Sequence, residues 1–230
     1  MLPRIIVFEG VGALHELPFT RDQFFQVFAD YNGAVWPAAI VAYAAAIAIL
    51  ALASSPGARP RRAAAAILAG MWAWVGLVYH GLFFSQINGA AYVFAGAFLI
   101  QGGLLARHVV RGTGLGFRRA SRRRLFIGWS MVAYATLAYP VIGVLAGETW
   151  PAVPLFGVTP CPLLIFTFGV MLMAENIRWW LWVIPMSWAL IGGSAALLLA
   201  VPQDWALLLS GLIVLAFLVR GRDAATADGG

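Results

Sequence analysis

Residues 34–53, AVWPAAIVAYAAAIAILALA, decide the fold class of this chain, because none of them carries a charge. A helix rises 1.5 Å per residue, so this run covers about 30 Å, the thickness of the hydrocarbon core of a bilayer. Six further apolar runs follow, near 63–84, 89–108, 125–146, 162–176, 179–201 and 205–219. The sequence therefore predicts an all-α bundle of seven transmembrane helices.

The overall composition points to the same class. Of the 230 residues, 62% are hydrophobic and 10% are charged, against about 45–50% and about 25% in soluble domains. Such a chain has too few charged side chains to cover a water-soluble surface. Every basic residue is arginine, which excludes a Schiff base on lysine. The single cysteine, Cys161, excludes an internal disulfide.

The arginines predict the orientation of the bundle. Thirteen of the 15 lie in the linkers 54–62, 107–124 and 176–178 or in the C-terminal tail, all on one side of a seven-span bundle. Arginine-rich loops remain in the cytoplasm. We therefore expect the N-terminus outside and the C-terminus in the cytoplasm, in the inner membrane of a bacterium. Because topology explains these clusters, they imply no nucleic-acid partner, and the bilayer is the expected environment.

Residues 17–219 are expected to form a single transmembrane domain, between a loosely ordered segment 1–16 and a disordered tail 220–230. At its start, Thr20-Arg21-Asp22-Gln23 matches a capping box. The aromatic residues that follow recur at helical spacing, which predicts a short amphipathic helix on the outer face with Phe24 and Phe28 inward. Asn32-Gly33 is expected to end this helix.

The segment 148–162, ETWPAVPLFGVTPCP, is apolar, yet its four prolines prevent a continuous helix. Non-helical backbone at membrane depth is tolerated only when protein or a wet cavity surrounds it. We expect residues 150–161 to be non-helical and to cover the outer end of the bundle. Pro162 suits the first turn of the fifth span, which places Cys161 at or near the N-cap, where a thiolate or a bound anion is favoured.

Two further prolines lie inside predicted spans. Pro140 is in the fourth span and Pro185 is in the sixth. Proline removes a backbone donor and clashes with the carbonyl four residues earlier, so these helices are expected to kink and to free the carbonyls of Thr136 and Leu181.

The candidate ligand-binding residues lie near the outer end. Trp72 and His80 share one face of the second span, and an ionisable residue inside a span is a functional hypothesis because its burial is costly. The full set is His80, Asn88, Cys161, Thr159 and Trp72. Cys161 and His80 are also the candidate metal ligands, since thiolate and imidazole suit an ion such as Cu(I). Ordinary packing explains both residues equally well.

Several motifs together resemble a known bacterial family. They are LPFTRDQFF at 17–25, AVWP at 34–37, YHGLFFSQIN at 79–88, TPCP at 159–162 followed by IFTFG at 165–169, and IP at 184–185 through GGSA at 192–195. The chain is similar over about 17–216 to multi-pass inner-membrane proteins catalogued only as a domain of unknown function. This resemblance implies a membrane architecture and no catalytic roles.

Two functions stay open. The first is a non-enzymatic membrane protein with an outward-facing pocket for a small ligand, which it passes or senses, with a soft metal ion as one candidate. The second is an accessory subunit that binds a membrane-protein partner, or a homo-oligomer. A third function, an intramembrane enzyme, needs a nucleophile, a base and an oxyanion donor, and the sequence offers no convincing set of them. The cofactor, if one is used, is left unknown by the sequence. No acidic residue lies well inside a predicted span, which argues against an ion-coupled pump.

Overall fold

The computed structural model describes residues 17–111, 114–175 and 177–227, with side chains as far as Arg220, and within these ranges it is all-α. The predicted segment 1–16 lies outside the described residues. The helices are α1 Arg21–Val35, α2 Pro37–Ser54, α3 Ala58–Gln86, α4 Ala91–Val110, α5 Arg122–Leu145, α6 Pro160–Met173, α7 Trp179–Leu198 and α8 Trp205–Ala227. A short turn, Pro202–Asp204, leads into α8. Helix α8 extends into the segment 220–230, where its last residues include good helix formers.

In the part of the chain that the structure describes, six helical segments are long and apolar enough to cross a membrane: α2, α3, α4, α5, α7 and Pro202–Arg220. Their outward faces carry large apolar side chains with more than half of their surface exposed, such as Ile47 on α2, Val93 on α4 and Phe126 on α5. Contact of such apolar side chains with lipid is favourable, whereas their exposure to water is unfavourable. Length, composition and surface thus agree on a multi-pass membrane protein.

Helix α6 differs from the predicted fifth span, 162–176. It runs from Pro160 to Met173, and its 14 residues cover only about 21 Å. Every residue of α6 except Cys161 is buried. Pro160 supplies the first helical position, and the backbone turns extended at Ala174. This short helix forms the centre of the bundle, where the other helices pack around it.

Helix α1 begins as predicted but ends later. Thr20 Oγ1 accepts from the Gln23 amide at 3.2 Å and Gln23 Oε1 accepts from the Thr20 amide at 2.8 Å, which confirms the capping box. The expected end at Asn32-Gly33 is wrong, because the helix continues to Val35. Asn32 is buried, and its Nδ2 donates to the carbonyls of Pro151 and Val153 at 2.6 and 2.8 Å. These tertiary bonds override the local tendency to terminate.

The two interior prolines free backbone carbonyls as predicted. Residues 134–138, just before Pro140, are π-helical, and the Thr136 carbonyl accepts from the Tyr43 hydroxyl at 2.9 Å. Near Pro185, the Leu181 carbonyl accepts from Gln101 Nε2, also at 2.9 Å. A buried carbonyl without a partner costs free energy. Each of these carbonyls is therefore satisfied by a side chain from another helix.

The three arginine-bearing linkers meet at one end of the bundle. Glu175 connects them, since its carboxylate accepts from the Arg119 amide at 2.8 Å and pairs with the Arg61 guanidinium at 3.7 Å. Arg124 Nε donates to the Leu172 carbonyl at 2.7 Å, which satisfies the C-terminal end of α6. Helix α1 and the segment 146–159 lie at the opposite end.

Helices α5 and α6 touch at two glycines. A Cβ atom on Gly169 would lie 2.6 Å from the Gly128 carbonyl oxygen, and one on Gly128 would lie 2.8 Å from the Gly169 carbonyl oxygen. Real Cβ atoms do not approach backbone this closely. The position of α6 against α5 therefore requires glycine on both helices.

We predict that Gly169→Ala destabilises the protein, because the two backbones must separate, at a cost of about 1–3 kcal/mol. Gly103→Ala on α4 is the matched control, since a Cβ atom there meets nothing within 4 Å. The measurement is thermal unfolding of the purified protein in detergent. Equal midpoints for the two variants would show that the close contact between the helices is not needed.

Candidate functional site

A cavity of about 180 Å³ lies at the end of the bundle opposite the arginine-bearing linkers. Its walls come from α1 and the segment before it, from α3, α4, α5, the start of α6 and α7, and from the turn before α8. Four residues predicted from the sequence lie on these walls: His80, Asn88, Thr159 and Cys161. The fold therefore brings together side chains that are up to 81 positions apart in the sequence.

Trp72 does not line this cavity. It is fully buried in the core, where its Nε1 donates to Thr167 Oγ1 on α6 at 3.1 Å and its ring packs on Phe98 with centroids 4.6 Å apart. It lies two helical turns from His80, toward the arginine end of α3. The sequence placed Trp72 and His80 on one helix face, but in the structure Trp72 lies in the core and His80 lines the cavity.

The segment before α6 is non-helical from Trp150 to Thr159, and Val153, Phe156 and Val158 are buried. This confirms the predicted cover over the end of the bundle. The helix begins at Pro160, two residues earlier than Pro162, so that the N-cap is Thr159. Thr159 Oγ1 donates back to the Leu155 carbonyl at 2.7 Å and caps no amide of α6.

Cys161 and Asn88 are the partly exposed polar residues among the four. Cys161 is the second residue of α6, and its thiol interacts with the Asp204 carboxyl group. Asn88 Oδ1 accepts from the Ala90 amide at 3.0 Å and so organises the turn between α3 and α4. Asn88 thereby has a structural role in addition to its place on the wall.

His80 lies in the π-helical part of α3, residues 75–83, and is completely buried. Its ring packs edge-on against Phe98 and Trp188, with centroids 4.7 and 4.9 Å away. Within the described part of the chain, neither ring nitrogen has a hydrogen-bond partner. Trp188 Nε1 makes no hydrogen bond of good geometry there, but it interacts with the Cys161 thiol. Buried polar atoms are rarely left without a hydrogen bond. A molecule bound in the cavity could supply hydrogen-bond partners to the His80 ring nitrogens.

Sequence reasoning placed Glu148 and Asp204 at the edges of spans and missed that both are buried, with 7% and 4% of their surface exposed. The Tyr139 hydroxyl donates to Asp204 Oδ1, and Gln203 Nε2 donates to Glu148 Oε1 at 2.7 Å. The only local signal was the Gln203-Asp204 pair before the last span. Its partners lie more than fifty positions away, so periodicity could not identify them.

Glu148 is held close to the last turn of α5. The Glu148 amide donates to the Gly143 carbonyl at 3.0 Å, after Gly147 adopts a φ of 97° that favours glycine. A Cβ atom on Gly143 would lie 2.7 Å from Glu148 Oε2, so the carboxyl group needs this glycine. Burial raises the pKa of Glu148, and the Gln203 hydrogen bond and the charge of Arg21 oppose this rise. Asp204 and Tyr139 are the other titratable groups that interact with it.

Cys161 and His80 line the same cavity, which is compatible with the predicted pair of soft-metal ligands. In the described ranges, however, no group of three or more His, Cys, Asp or Glu side chains is placed to hold a metal ion. A metal bound here would need a further ligand from a carbonyl or from a partner.

We predict that the free energy of unfolding falls as pH rises through the raised pKa of Glu148. Above the ordinary carboxyl pKa the unfolded chain has lost a proton that the folded chain still holds, so a rise in pH favours unfolding. Glu148→Gln keeps an oxygen acceptor for Gln203 and should flatten this dependence. The measurement is the thermal midpoint from acidic to neutral pH. Asp30→Asn, at an exposed position on α1, is the control, and equal slopes for the two variants would contradict the prediction.

Comparison with known proteins identifies a family and adds no activity. No curated protein and no solved structure matches the chain. A family model described as a family of unknown function, DUF6064, matches residues 21–228, in agreement with the resemblance found in the sequence motifs. Because this match covers nearly the whole chain, the protein belongs to the DUF6064 family.

Proposed function

We propose that this protein is a non-enzymatic integral protein of the bacterial inner membrane that binds a small ligand in the cavity beside His80. The observation that carries the proposal is the buried imidazole of His80 on the cavity wall, with both ring nitrogens unpaired within the described residues and the Trp188 ring 4.9 Å away. Each unpaired buried polar atom costs about 1–3 kcal/mol. A ligand that pairs with them recovers part of this cost.

The proposed topology has seven crossings. In addition to the six long helices, α6 and the non-helical residues before it together form one crossing. Helix α6 covers about 21 Å, and the covering segment spans the remaining thickness of the membrane. The linkers around Glu175 carry arginines and are assigned to the cytoplasm. The N-terminus and the cavity then face outward, and α1 lies at the outer surface.

The size of the cavity limits the ligand. At about 180 Å³ it is close to cavities of about 150 Å³ that hold a benzene molecule. Trp72 and Phe98 fill the bundle between the cavity and the arginine end. This packing favours binding or sensing of the ligand over its passage.

An accessory subunit of a larger membrane complex is the second candidate. The exposed apolar faces of α2, α4 and α5 are compatible with a partner, but lipid covers such faces equally well. The unpaired His80 nitrogens lie on a cavity wall that lipid does not cover, so ligand binding is the stronger proposal.

The sole cysteine provides a direct test, because Cys161 lines the cavity. We predict that phenol, one ring with one hydroxyl, slows the reaction of Cys161 with methyl methanethiosulfonate in the protein embedded in nanodiscs. His80→Phe should reduce this protection, because the hydroxyl loses its partner. Mass spectrometry measures the labelled fraction.

The control carries Ser54→Cys in a Cys161→Ser background, since Ser54 is exposed at the arginine end, and phenol should not protect it. Cu(I) binding to wild type, Cys161→Ser and His80→Ala tests a soft metal ion as the ligand. If phenol gives no protection and Cu(I) binds equally to all three proteins, the accessory-subunit function is favoured instead.

A further inference from the structure

Aromatic side chains supply about a third of the residues that line the cavity. Eight rings line it: Phe19, Phe24, Phe28, Tyr79, Phe84, Phe94, Tyr139 and Trp188. They come from α1, the segment before it and the four helices α3, α4, α5 and α7. Several pack edge-on, as Phe94 does on Trp188 with centroids 5.1 Å apart. An aromatic face is electron-rich and attracts a cation, most strongly where water is excluded. Such walls therefore suit an organic cation.

Asp204 places a carboxyl group on the same walls. It is 4% exposed, and the Tyr139 hydroxyl donates to it. Its position at the N-terminus of α8 also favours a negative charge. Among the described residues the ion pair present is Arg61 with Glu175, at the opposite end of the bundle. Asp204 thus has hydrogen-bonding partners but no cation.

Among the described residues, Arg21 is the arginine at this end, and its guanidinium is engaged elsewhere. Its Nε donates to the Leu199 carbonyl at 3.0 Å, and its guanidinium lies 4.6 Å from the centroid of the Phe25 ring. Its charge acts on Glu148, and the Glu148 carboxyl group interacts electrostatically with Asp204. Both carboxyl groups disfavour an anion in the cavity, and a bound cation would stabilise the ionised form of Asp204.

We propose that the ligand is a small monovalent organic cation, an amine with methyl groups on its nitrogen, held between the aromatic rings and the Asp204 carboxylate. This inference rests on the proposed function. The Trp188 indole can donate to a hydroxyl oxygen on the ligand, and His80 can accept from that hydroxyl. The cation comes either free from solution or from a lipid headgroup of the same chemistry.

Choline and 3,3-dimethyl-1-butanol test the proposal, because they share their shape and differ in charge. The full-length protein is embedded in nanodiscs of phosphatidylglycerol, which carry no choline. Protection of Cys161 from labelling reports the affinity of each compound. We expect choline to bind at least about tenfold more tightly, a difference of about 1.4 kcal/mol.

Asp204→Asn should abolish this preference while 3,3-dimethyl-1-butanol still binds, and the exposed control Asp30→Asn should retain it. If Asp204→Asn does not fold, the comparison of the two compounds on wild type decides the question. Nanodiscs that contain phosphatidylcholine identify the source of the cation. Protection without added choline shows a lipid headgroup, and protection only by added choline shows a free cation.

Equal affinity of wild type for the two compounds would overturn the inference and leave the proposed function intact, since the cavity would then bind neutral molecules. If neither compound nor phenol protects Cys161, the proposed function fails together with the inference. The two failures are therefore distinguishable.

Discussion

The burial of α6 is the constraint on which the rest of the bundle depends. A helix buried on nearly every side needs partners for both of its ends and close neighbours along its length. Arg124 satisfies its last carbonyls, glycines admit the backbone of α5, and Thr167 meets Trp72 of α3. Because the helix is short, other parts of the chain must fill the depth before Pro160.

The segment 150–159 fills that depth, and its backbone must be hydrogen-bonded because little water reaches it. Helix α1 supplies the donors: Asn32 binds two of its carbonyls, and the Tyr31 hydroxyl donates to the Val158 carbonyl at 2.8 Å. Trp74 in turn donates to the Tyr31 hydroxyl at 2.8 Å. The amphipathic helix is thus a structural part of the bundle, and the cavity forms where α1 meets α6 and α7.

The cavity concentrates the groups that reduce stability. His80, Trp188, Glu148 and Asp204 are buried at the same end, and His80 and Glu148 keep polar atoms without a partner in the described chain. Elsewhere the carbonyls freed by the two prolines are paired, although Gln101 Oε1 beside one of them has no partner among the described residues. Departures from good pairing that collect in one place are typical of functional sites. This contrast is the physical link between the fold and the proposed ligand.

The sequence by itself determined the features that depend on a single helix. Apolar length predicted the six long helices, the capping box predicted the start of α1, and proline geometry predicted the free carbonyls of Thr136 and Leu181. Each follows from neighbouring residues, so no knowledge of packing was needed. Position near the ends of the predicted spans also identified four candidate ligand-binding residues that line the cavity.

Only the tertiary structure decided which faces meet. The pairing of Tyr139 with Asp204, the burial of Glu148 against Gln203 and the aromatic surroundings of His80 join distant segments. Asn32 is a further example. Its local sequence predicts a helix end, but its hydrogen bond to the covering segment keeps it inside α1. The sequence pattern places Trp72 and His80 on one helix face, but Trp72 packs on α6 and His80 lines the cavity. Periodicity assigns a residue to a face, and only packing determines what covers that face.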